Sequence, residues 1–598
     1  MQNNKNLILF IAISAAIFLG WQFFYIVPHQ RQQALQHQQE AAQQATQTPG
    51  TANQGTSGSA APASTAPTQV IKTREEALAE SPRVSIDTQR LSGSIALKGG
   101  RLDDLVLKDY RETVDPNSSQ VVLLAPSGTA HAYFSEVGFT TADAGVKVPA
   151  SDTVWQTSDK MLSSSHPVTL TWDNGAGLIF KRVFAVDDNY MFTVTQSVDN
   201  KGTTSVKLVP YARVRRVGTP LNVSQSYVLF EGLIGRVGDT VTEEKYSGLR
   251  SEAEKGDAPT TVDSQGTGGW LGVSDKYWLV TQIAPKTESI STHFFYQQQD
   301  DSYQADYTGQ SHEVAPGARL SLESRTFAGA KVVSLLRDYA DNLQITHFER
   351  AVDFGYFWFF TEPLQWFLDK VYHTIGNFGI AILCLTVLVK LAMFPLANKS
   401  YTSMSKMKTL QPHMTALKEK YGDDKAKIQQ EMMALYKREK VNPAAGCLPM
   451  FVQIPVFYSL YKVFYVTIEM RHAPFFGWIK DLSEKDPTTA LNLFGLIPWN
   501  PDLYLHVPMI GGLIGYLSIG VWPLVMGLTM FLQMRLNPTP PDPVQAKMFM
   551  IMPFFFTFML GHFAAGLVIY WAWNNTLSIL QQRFIMWKLE KAKQLKKA

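Results

Sequence analysis

Long apolar segments occupy the beginning and the second half of the chain, and a more polar middle separates them. The apolar segments are Leu7–Val27, Ile375–Ala397, Leu448–Ile468, Ile510–Met534, Met548–Leu560 and Ala565–Trp587. A helix of roughly 20 apolar residues is long enough to cross a bilayer. The pattern therefore predicts a multidomain membrane protein with six spanning helices, an N-terminal anchor over residues 1–27 and a five-helix core over residues 375–587.

The first apolar segment is predicted to remain as a signal anchor. It is about 21 residues long and has four aromatic residues between Trp21 and Tyr25, whereas a signal peptide has an apolar stretch of ~7–15 residues and a small-residue cleavage site. A cleaved signal peptide is the alternative. Residues 28–72 are rich in Gln, Ala, Ser, Thr and Pro, which predicts a disordered tether, with a helical continuation over Gln30–Gln44 as the alternative.

Residues 73–345 show the alternation of apolar and polar positions that is typical of strands with one buried face. Clear examples are Ser92–Leu97, Leu105–Leu107, Leu178–Phe184, Tyr190–Thr195 and Leu320–Ser324. Turn-forming clusters such as Gly99–Gly100 separate them. We predict a sandwich-type all-β domain closed by a short helix near Val332–Leu343, followed by an interfacial amphipathic helix rich in Phe and Trp over residues 346–374.

The distribution of positive charge predicts the orientation in the membrane. The chain has 54 Lys and Arg residues against 51 Asp and Glu residues, so the total charge shows no nucleic-acid-binding character. Positive residues concentrate in the loop 398–443, in the tail 588–598, and at Lys5, Arg535 and Lys547. By the positive-inside rule these segments are cytoplasmic, which places both termini inside and the β domain in the periplasm of a bacterial inner membrane.

The chain lacks the sequence signatures of an enzyme. It has no nucleophile elbow, phosphate-binding Gly-Lys loop, zincin His-Glu pair or dinucleotide fingerprint. Its two cysteines, Cys384 and Cys447, lie in or beside apolar segments, which excludes a disulfide framework in the β domain. We therefore expect no catalysis, no cofactor, no metal and no small-molecule substrate.

Lys390 is the residue that indicates function most directly. It lies in the apolar sequence Leu385–Leu396, eight residues before Asn398, or ~12 Å from the predicted cytoplasmic end of its helix at ~1.5 Å per residue. A charge near the bilayer centre costs at least ~2.5–3.5 kcal/mol. Two interpretations remain open. Either the side chain snorkels to the headgroups, or it faces a hydrated cavity within the bundle, with Thr386 on the same face of the helix.

Other polar residues favour the cavity. Gln453 and Gln533 lie in the cytoplasmic halves of their predicted spans. Together with Lys390 they predict a hydrophilic groove open to the cytoplasm and closed toward the outside, because a through-pore needs polar lining along its full length. Asn574 lies in the outer half of the last span. It is also predicted to line the groove and to form a hydrogen bond with a neighbouring helix. Lys462, in the outer half of the third span, is expected to snorkel outward.

The cytoplasmic loop 398–443 is predicted to fold as a helical hairpin. Met and Leu recur at three- and four-residue spacing on both sides of Gly422, Asp423 and Asp424, which separate the two stripes. A self-packed helix pair is enough to explain the spacing. A Met-rich stripe can also accept varied apolar partners.

A series of short motifs runs through the second half of the chain. They are Val387–Leu396, Tyr401–Met407, Leu410–Pro412, Gly422–Lys425, Glu431–Lys437, Val441–Pro443, Gly446–Pro449, Gln453–Phe457, Arg471–Phe475 and Gly566–Tyr570. In this order they resemble the YidC/Oxa/Alb family of membrane protein insertases. The resemblance covers the whole architecture and implies that the β domain is a supersandwich like that of sugar mutarotases, without their activity.

The resemblance implies an insertase with a positively charged, hydrated groove open to the cytoplasm and to lipid. Its substrates would be nascent membrane proteins delivered by ribosomes, and it would act alone or with the Sec translocon. Where the family usually has Arg, this chain has Lys390, which keeps the charge but lacks the planar guanidinium. The substrate contacts implied by the family are Ile454, Phe457, Gly566, Tyr570 and Trp571.

Two other functions are compatible with a multispanning chain. A solute transporter would bind a small anion at Lys390, but it should have polar lining on both sides of the midplane and internal repeats, and the sequence shows neither. An envelope scaffold or receptor would act through its β domain. Deletion of about residues 75–330 distinguishes such a receptor from an insertase. An insertase should keep most of its activity without the β domain, whereas a receptor should lose it.

Overall fold

The computed structural model describes residues 71–220, 223, 229–238, 240–254, 262–422, 424–439, 441, 448–499, 501–504, 507, 510–537 and 543–595. The predicted anchor over residues 1–27, nearly all of the predicted tether over residues 28–72, Asp423 and the last three residues of the predicted tail lie outside these ranges.

Strands between Arg83 and Ala330 pair into one connected, mostly antiparallel network. They are β1 (Arg83–Asp87), β2 (Leu91–Ala96), β3 (Arg101–Arg111), β4 (Gln120–Leu124), β5 (Tyr133–Thr140), β6 (Met161–Leu162), β7 (Val168–Asp173), β8 (Leu178–Val186), β9 (Met191–Asn200), β10 (Val206–Val217), β11 (Gly232–Val237), β12 (Thr240–Lys245), β13 (Val262–Ser274), β14 (Trp278–Gln297), β15 (Ser302–Thr308), β16 (His312–Val314) and β17 (Arg319–Ala330). The long strand β14 pairs with β13, β15 and β17 and so joins several parts of the network.

The alternation seen in the sequence becomes one-sided burial in the strands. In β8, every second residue from Leu178 to Val186 is buried, and all of these side chains except that of Arg182 join a single large apolar core. Trp270 and Phe348 meet edge-to-face in this core with ring centroids 5.4 Å apart, a geometry that aromatic pairs prefer. The prediction of a β-rich domain is confirmed.

Among the described residues of this domain, three α-helices accompany the strands. They are α1 (Arg74–Leu78), α2 (Tyr246–Glu254) and α3 (Val333–Asn342). Thr73 and Glu76 form a capping box that starts α1, because each side chain accepts a hydrogen bond from the backbone N–H of the other. Helix α3 confirms the short closing helix predicted near Val332–Leu343.

The rest of the described chain consists mainly of helices and the loops that join them. The helices are α4 (Trp358–Ile375), α5 (Phe378–Ala392), α6 (Phe394–Tyr421), α7 (Lys425–Arg438), α8 (Leu448–Val466), α9 (Ile510–Leu517), α10 (Val521–Leu536), α11 (Pro543–Leu560) and α12 (Ala565–Leu595). Gly376, with φ of 77°, ends α4 in the left-handed conformation that glycine adopts without strain. The side chain of Asn377 then caps α5 by accepting a hydrogen bond of 3.0 Å from the backbone N–H of Ile380.

Bends interrupt two of the predicted spans. Among the described helices, none alone is both long and apolar enough to cross a bilayer, but α5 and α6, which meet at an angle of 65°, together meet that requirement. The segment Ile510–Met534, predicted as one span, forms two helices, since residues 518–520 separate α9 from α10. The cause is a pair of side-chain caps: Asp486 accepts a hydrogen bond of 2.9 Å from the N–H of Trp522, and Thr488 accepts one of 3.0 Å from the N–H of Val521.

Helices α4, α5, α8 and α12 share one apolar core. It is formed by Leu368 of α4, Leu385 of α5, Phe464 of α8 and Tyr570 of α12, among others. A second cluster joins α10, α11 and α12 through Met526, Leu560 and Val568. Helices α6 and α7 pack through a smaller cluster that contains Leu410, Met414 and Leu435.

The end of α8 ties this bundle to the β domain. Val466 and Ile468 belong to the core of the β domain. The buried ammonium of Lys462 pairs with a carboxylate oxygen of Asp353 at 2.5 Å. The expectation that Lys462 snorkels outward is therefore wrong, because a partner in the segment before α4 lies within reach of its buried side chain.

Two further contacts strengthen this junction. The guanidinium of Arg471 donates hydrogen bonds to the carbonyls of Arg111 (2.6 Å) and Glu112 (3.2 Å) at the end of β3, and it lies 5.4 Å from the ring of Trp278. Glu469 accepts a hydrogen bond of 3.3 Å from the N–H of Val333 at the start of α3. Burial raises the pKa of Glu469 to about 7.

Candidate functional site

Lys390 lies in the last turn of α5, and its side chain is directed toward α12. Its ammonium donates a hydrogen bond of 2.8 Å to the hydroxyl oxygen of Ser578. Ser578 is buried, and its own hydroxyl donates to the carbonyl of Asn574 at 2.8 Å. The structure therefore shows an inward-facing ammonium held by a neighbouring helix, and not the snorkelling arrangement.

Ser578 and Tyr401 are contacts of this site that the sequence did not reveal. The side chain of Tyr401, on α6, also interacts with the side chain of Ser578. Asn574, Ser578 and Gln582 are spaced four residues apart on α12, so they share one face of that helix. This spacing is the signal that would have identified Ser578.

The site has a second polar contact between α8 and α12. The amide nitrogen of Gln453 donates a hydrogen bond of 2.5 Å to the hydroxyl of Tyr570, which is buried. A buried tyrosine hydroxyl needs such a partner, because leaving it unpaired costs ~1–3 kcal/mol. The contact joins a predicted groove residue to a predicted substrate-contact residue.

Next to this contact lies an apolar surface made by the same two helices. Phe457 of α8 and Trp571 of α12 meet edge-to-face with centroids 4.6 Å apart, and Trp571 also stacks on Phe556 of α11 at 6.4 Å. Ile454, one turn before Phe457, has 54% of its surface exposed. The structure thus brings together Gln453, Ile454, Phe457 and the aromatic pair at 570 and 571.

Other predicted site residues lie elsewhere. Thr386 is buried, and its hydroxyl donates to the carbonyl of Ile382 at 2.7 Å within its own helix. Gly566 is also buried, and a Cβ at its position would lie 3.1 Å from the carbonyl oxygen of Leu482. Both positions therefore face packed protein. Gln533 is half-buried on α10.

The turn between α6 and α7 contains the predicted hairpin residues. Gly422 follows α6 with φ of 56°, a conformation that glycine tolerates. The carboxylate of Asp424 caps α7 by accepting a hydrogen bond of 3.0 Å from the N–H of Lys427. Asp423, the remaining predicted residue, lies outside the described residues.

The arrangement suits the binding of a charged and apolar polypeptide better than covalent chemistry. Among the described residues, Lys390 forms no ion pair, so none of their carboxylates neutralises its charge. Leu388 and Leu391, beside it on α5, are 47% and 65% exposed. Within the described residues, no group of three or more His, Cys, Asp or Glu side chains could hold a metal ion.

Comparison with known proteins identifies the family. Residues 83–367 match the family model described as YidC periplasmic domain, and residues 370–593 match the one described as 60Kd inner membrane protein. The membrane protein insertase YidC of Beijerinckia indica subsp. indica is 50% identical over 98% of this chain and 96% of its own length. That of Brucella suis biovar 1 is 49% identical over the same shares of the two chains.

A crystal structure described as an active YidC insertase with the first transmembrane domain resolved is also similar to the chain. It is 18% identical, with a TM-score of 0.35, and the match covers 83% of this chain and 91% of that one. The two family models and the relatives with half of their residues identical confirm the resemblance read from the motifs. The chain belongs to the YidC family of inner-membrane proteins, which are membrane protein insertases and not enzymes, and it carries that family's periplasmic domain.

Proposed function

We propose that this chain inserts nascent membrane proteins into the inner membrane by holding an acidic substrate segment at Lys390. The observation that carries the proposal is the inward-facing ammonium, which is bound to a neutral serine hydroxyl and is bordered by exposed apolar side chains. A neutral partner leaves the positive charge available to a carboxylate of the substrate. Insertion of membrane proteins is the activity named for the relatives.

The energetic reason is desolvation. Moving an Asp side chain to the centre of a bilayer costs ~2.5–3.5 kcal/mol on insertion scales. A substrate carboxylate that pairs with Lys390 in a hydrated groove crosses part of the membrane without losing all of its solvation. The proposed groove is lined by Lys390, Gln453, Gln533 and Asn574. It also includes Ser578, because Ser578 accepts the hydrogen bond from Lys390.

The substrate's apolar segment leaves by the neighbouring apolar surface. Ile454 is exposed, and Phe457 and Trp571 present aromatic faces between α8 and α12. A flexible set of apolar contacts accepts segments of different sequence, as an insertase requires. The charge of Lys390 on α5 and the apolar surface of α8 and α12 therefore both border α12, so the substrate meets them side by side.

We also propose how the chain crosses the membrane and which partners it contacts. The chain has six spans, the domain limits given by the sequence, both termini in the cytoplasm and the β domain in the periplasm. The hairpin 398–443 and the basic tail 588–598 contact the ribosome, whose RNA attracts Lys-rich segments. The chain acts alone or beside the Sec translocon, and the lipid bilayer receives the product.

The test compares variants of Lys390 in a strain depleted of its own insertase. Lys390→Ala should reduce insertion of a substrate with an acidic translocated tail about tenfold. If the ammonium offsets only ~1.4 kcal/mol of the cost of desolvating the tail, its loss changes the yield by that factor. Lys390→Arg should retain insertion, because it keeps the charge. Protease protection of the translocated tail measures the yield.

Lys399→Ala is the matched control, because it removes the same charge from an exposed position on α6. A substrate with a neutral tail is the second control, and its insertion should change little in any variant. Wild-type yields of the acidic-tailed substrate with Lys390→Ala would refute the proposed role of the ammonium.

A further inference from the structure

The last part of the segment that joins α8 to α9 is apolar. We call its described residues, 490–499, 501–504 and 507, the apolar loop. Its described side chains with large exposed apolar surfaces include Leu493, Phe494, Leu496, Trp499, Leu503 and Tyr504. Leu496 has 83% and Leu503 has 73% of its surface exposed. Such a concentration of exposed apolar side chains marks a surface that meets something other than water.

The apolar loop lies at the end of the bundle that is nearest the β domain. Its first residue, Ala490, donates a backbone hydrogen bond of 2.8 Å to Ile519, just before α10. The preceding segment holds the start of α12 through a hydrogen bond of 2.7 Å from the N–H of Ala565 to the carbonyl of Glu484. The same end of the bundle contains Val466, which packs in the β-domain core.

The loop is folded by its own backbone and displays its apolar side chains outward. Asn492 accepts a hydrogen bond of 2.9 Å from the N–H of Gly495 and donates one of 3.1 Å to the carbonyl of Trp499. Leu493 and Phe494 adopt φ values of 50° and 61°. Bulky residues adopt this left-handed region at a cost in conformational energy. The hydrogen bonds of the loop therefore hold these two residues in a strained conformation.

An apolar cavity continues this surface between α9 and α11. Its volume is about 410 Å³, and it is lined by Gly512, Gly515, Phe558, Met559 and His562. This lies within the range of ~300–1,000 Å³ that is typical of small-molecule sites. A Cβ at Gly512 would contact nothing within 4 Å, so the glycine leaves open space. The loop leads into the helix that lines this cavity: Val507 accepts a backbone hydrogen bond of 2.8 Å from Gly511, the residue before the lining residue Gly512.

The charge of the segment limits the choice of occupant. Between Pro487 and Met534 the sequence has one acidic residue, Asp502, and no Glu, Lys or Arg. A strongly acidic partner would find no Lys or Arg there, and a strongly basic partner would find only one carboxylate. Trp and Tyr within an uncharged apolar segment are typical of the membrane–water interface. The exposed apolar face of α10, with Leu524 and Leu528, continues from this segment.

We propose that the apolar loop and the α9–α11 cavity form one phospholipid-binding surface in the outer leaflet. The loop side chains lie at the boundary between headgroups and acyl chains, and the cavity takes an acyl chain. This inference rests on the proposed function in that it uses the orientation with the β domain in the periplasm. The surface anchors the outer end of the bundle to lipid on the side away from Lys390.

The first experiment measures lipid contact at the tip of the loop. A fluorophore is attached to Leu496→Cys in a chain that also carries Cys384→Ser and Cys447→Ser, and the protein is reconstituted in phosphatidylcholine vesicles with or without doxyl-labelled acyl chains. Contact with lipid should quench the fluorescence at least about twofold. The same label at Asn117→Cys, in an exposed turn of the β domain, should not be quenched.

Absence of quenching at position 496 would overturn the proposal. Quenching that is absent at a low lipid-to-protein ratio and appears only on dilution with lipid would also overturn it, because a second copy of the chain would then be the preferred occupant of the surface. Neither readout involves a substrate. Their failure is therefore distinguishable from failure of the insertion proposal, which is tested at Lys390.

The second experiment tests the cavity itself. Gly512→Phe should fill the open space, whereas Gly512→Ala adds only a Cβ that meets no neighbour. A phosphatidylcholine with a photoactivatable acyl chain should label Phe558 or Met559 in the wild-type protein and in Gly512→Ala, and labelling should fall at least about fivefold in Gly512→Phe. Equal labelling of the two variants would show that the cavity does not hold the acyl chain.

Discussion

The buried ion pair between Asp353 and Lys462 predicts an unequal response to the loss of either partner. The side chain of Lys462 is 3% exposed, whereas that of Asp353 is 32% exposed. Asp353→Asn removes the carboxylate that is bonded to a buried ammonium and leaves the charge of Glu243 to act on it; removing one partner of a buried pair costs up to ~3–5 kcal/mol. Lys462→Met keeps most of the buried volume and leaves a carboxylate that reaches water, so its cost should be about 1 kcal/mol, as for exposed pairs.

Thermal unfolding in detergent, followed by tryptophan fluorescence at one scan rate, measures the difference. At ~2–4 °C per kcal/mol, Asp353→Asn should lower the midpoint by on the order of 10 °C and Lys462→Met by a few degrees. The double variant should unfold at a higher temperature than Asp353→Asn alone, because it contains no buried ammonium at this position. Lys480→Met, at an exposed position, is the control and should unfold like the wild type. Equal losses for the two single variants, or additive losses in the double variant, would refute the reasoning.

Two further predictions concern single polar contacts. Ser578→Ala should reduce insertion of acidic-tailed substrates roughly tenfold, because a hydrogen bond to a charged group contributes ~1.5–3 kcal/mol, and Ser578→Thr should restore insertion; unchanged protease protection would remove Ser578 from the site. The pKa of Glu469 is raised from 4.5 to about 7 by burial, so the folded state keeps a proton between these values that the unfolded state releases, and the stability from this group falls as pH rises through that window. Unfolding midpoints should therefore show the wild type losing up to about 3 kcal/mol relative to Glu469→Gln between pH ~4.5 and ~8, and a constant difference would contradict the assignment.

The β domain was largely predictable because its signal is local. Each strand buries alternate residues of its own sequence, as β8 does from Leu178 to Val186. The closing helix α3 was found within one residue at each end for the same reason. The pairing of strands that are distant in the sequence, such as β9 with β17, could not be read from local periodicity.

The helical half was less predictable where distant residues decide the structure. The break between α9 and α10 depends on Asp486 and Thr488, which lie more than 30 residues before the helix they cap. Lys462 was assigned to the membrane surface because its partner Asp353 is 109 residues away. In both cases the apolar pattern predicted the helix. It did not predict the distant side chains that break the first helix or the carboxylate that pairs with the lysine of the second.

The candidate site shows the same division. Lys390 stands out because a charge in an apolar segment is costly, whereas Ser578 is one small residue 188 positions away. Thr386 was placed with Lys390 by helical spacing, yet its hydroxyl bonds to its own helix. Family membership, and not the local pattern, decided against a transporter or a receptor.

The contacts of Arg471 and Lys462 have a mechanical consequence. The segment that contains Asp353 connects the β domain to the helices. The chain contacts the same domain again after α8, where Arg471 donates hydrogen bonds to the end of β3. Both attachments hold the same end of α8, because Asp353 pairs with Lys462 of that helix and Arg471 follows it. A pull or a push on the periplasmic domain is therefore transmitted along α8, the helix that also carries Gln453 and Phe457.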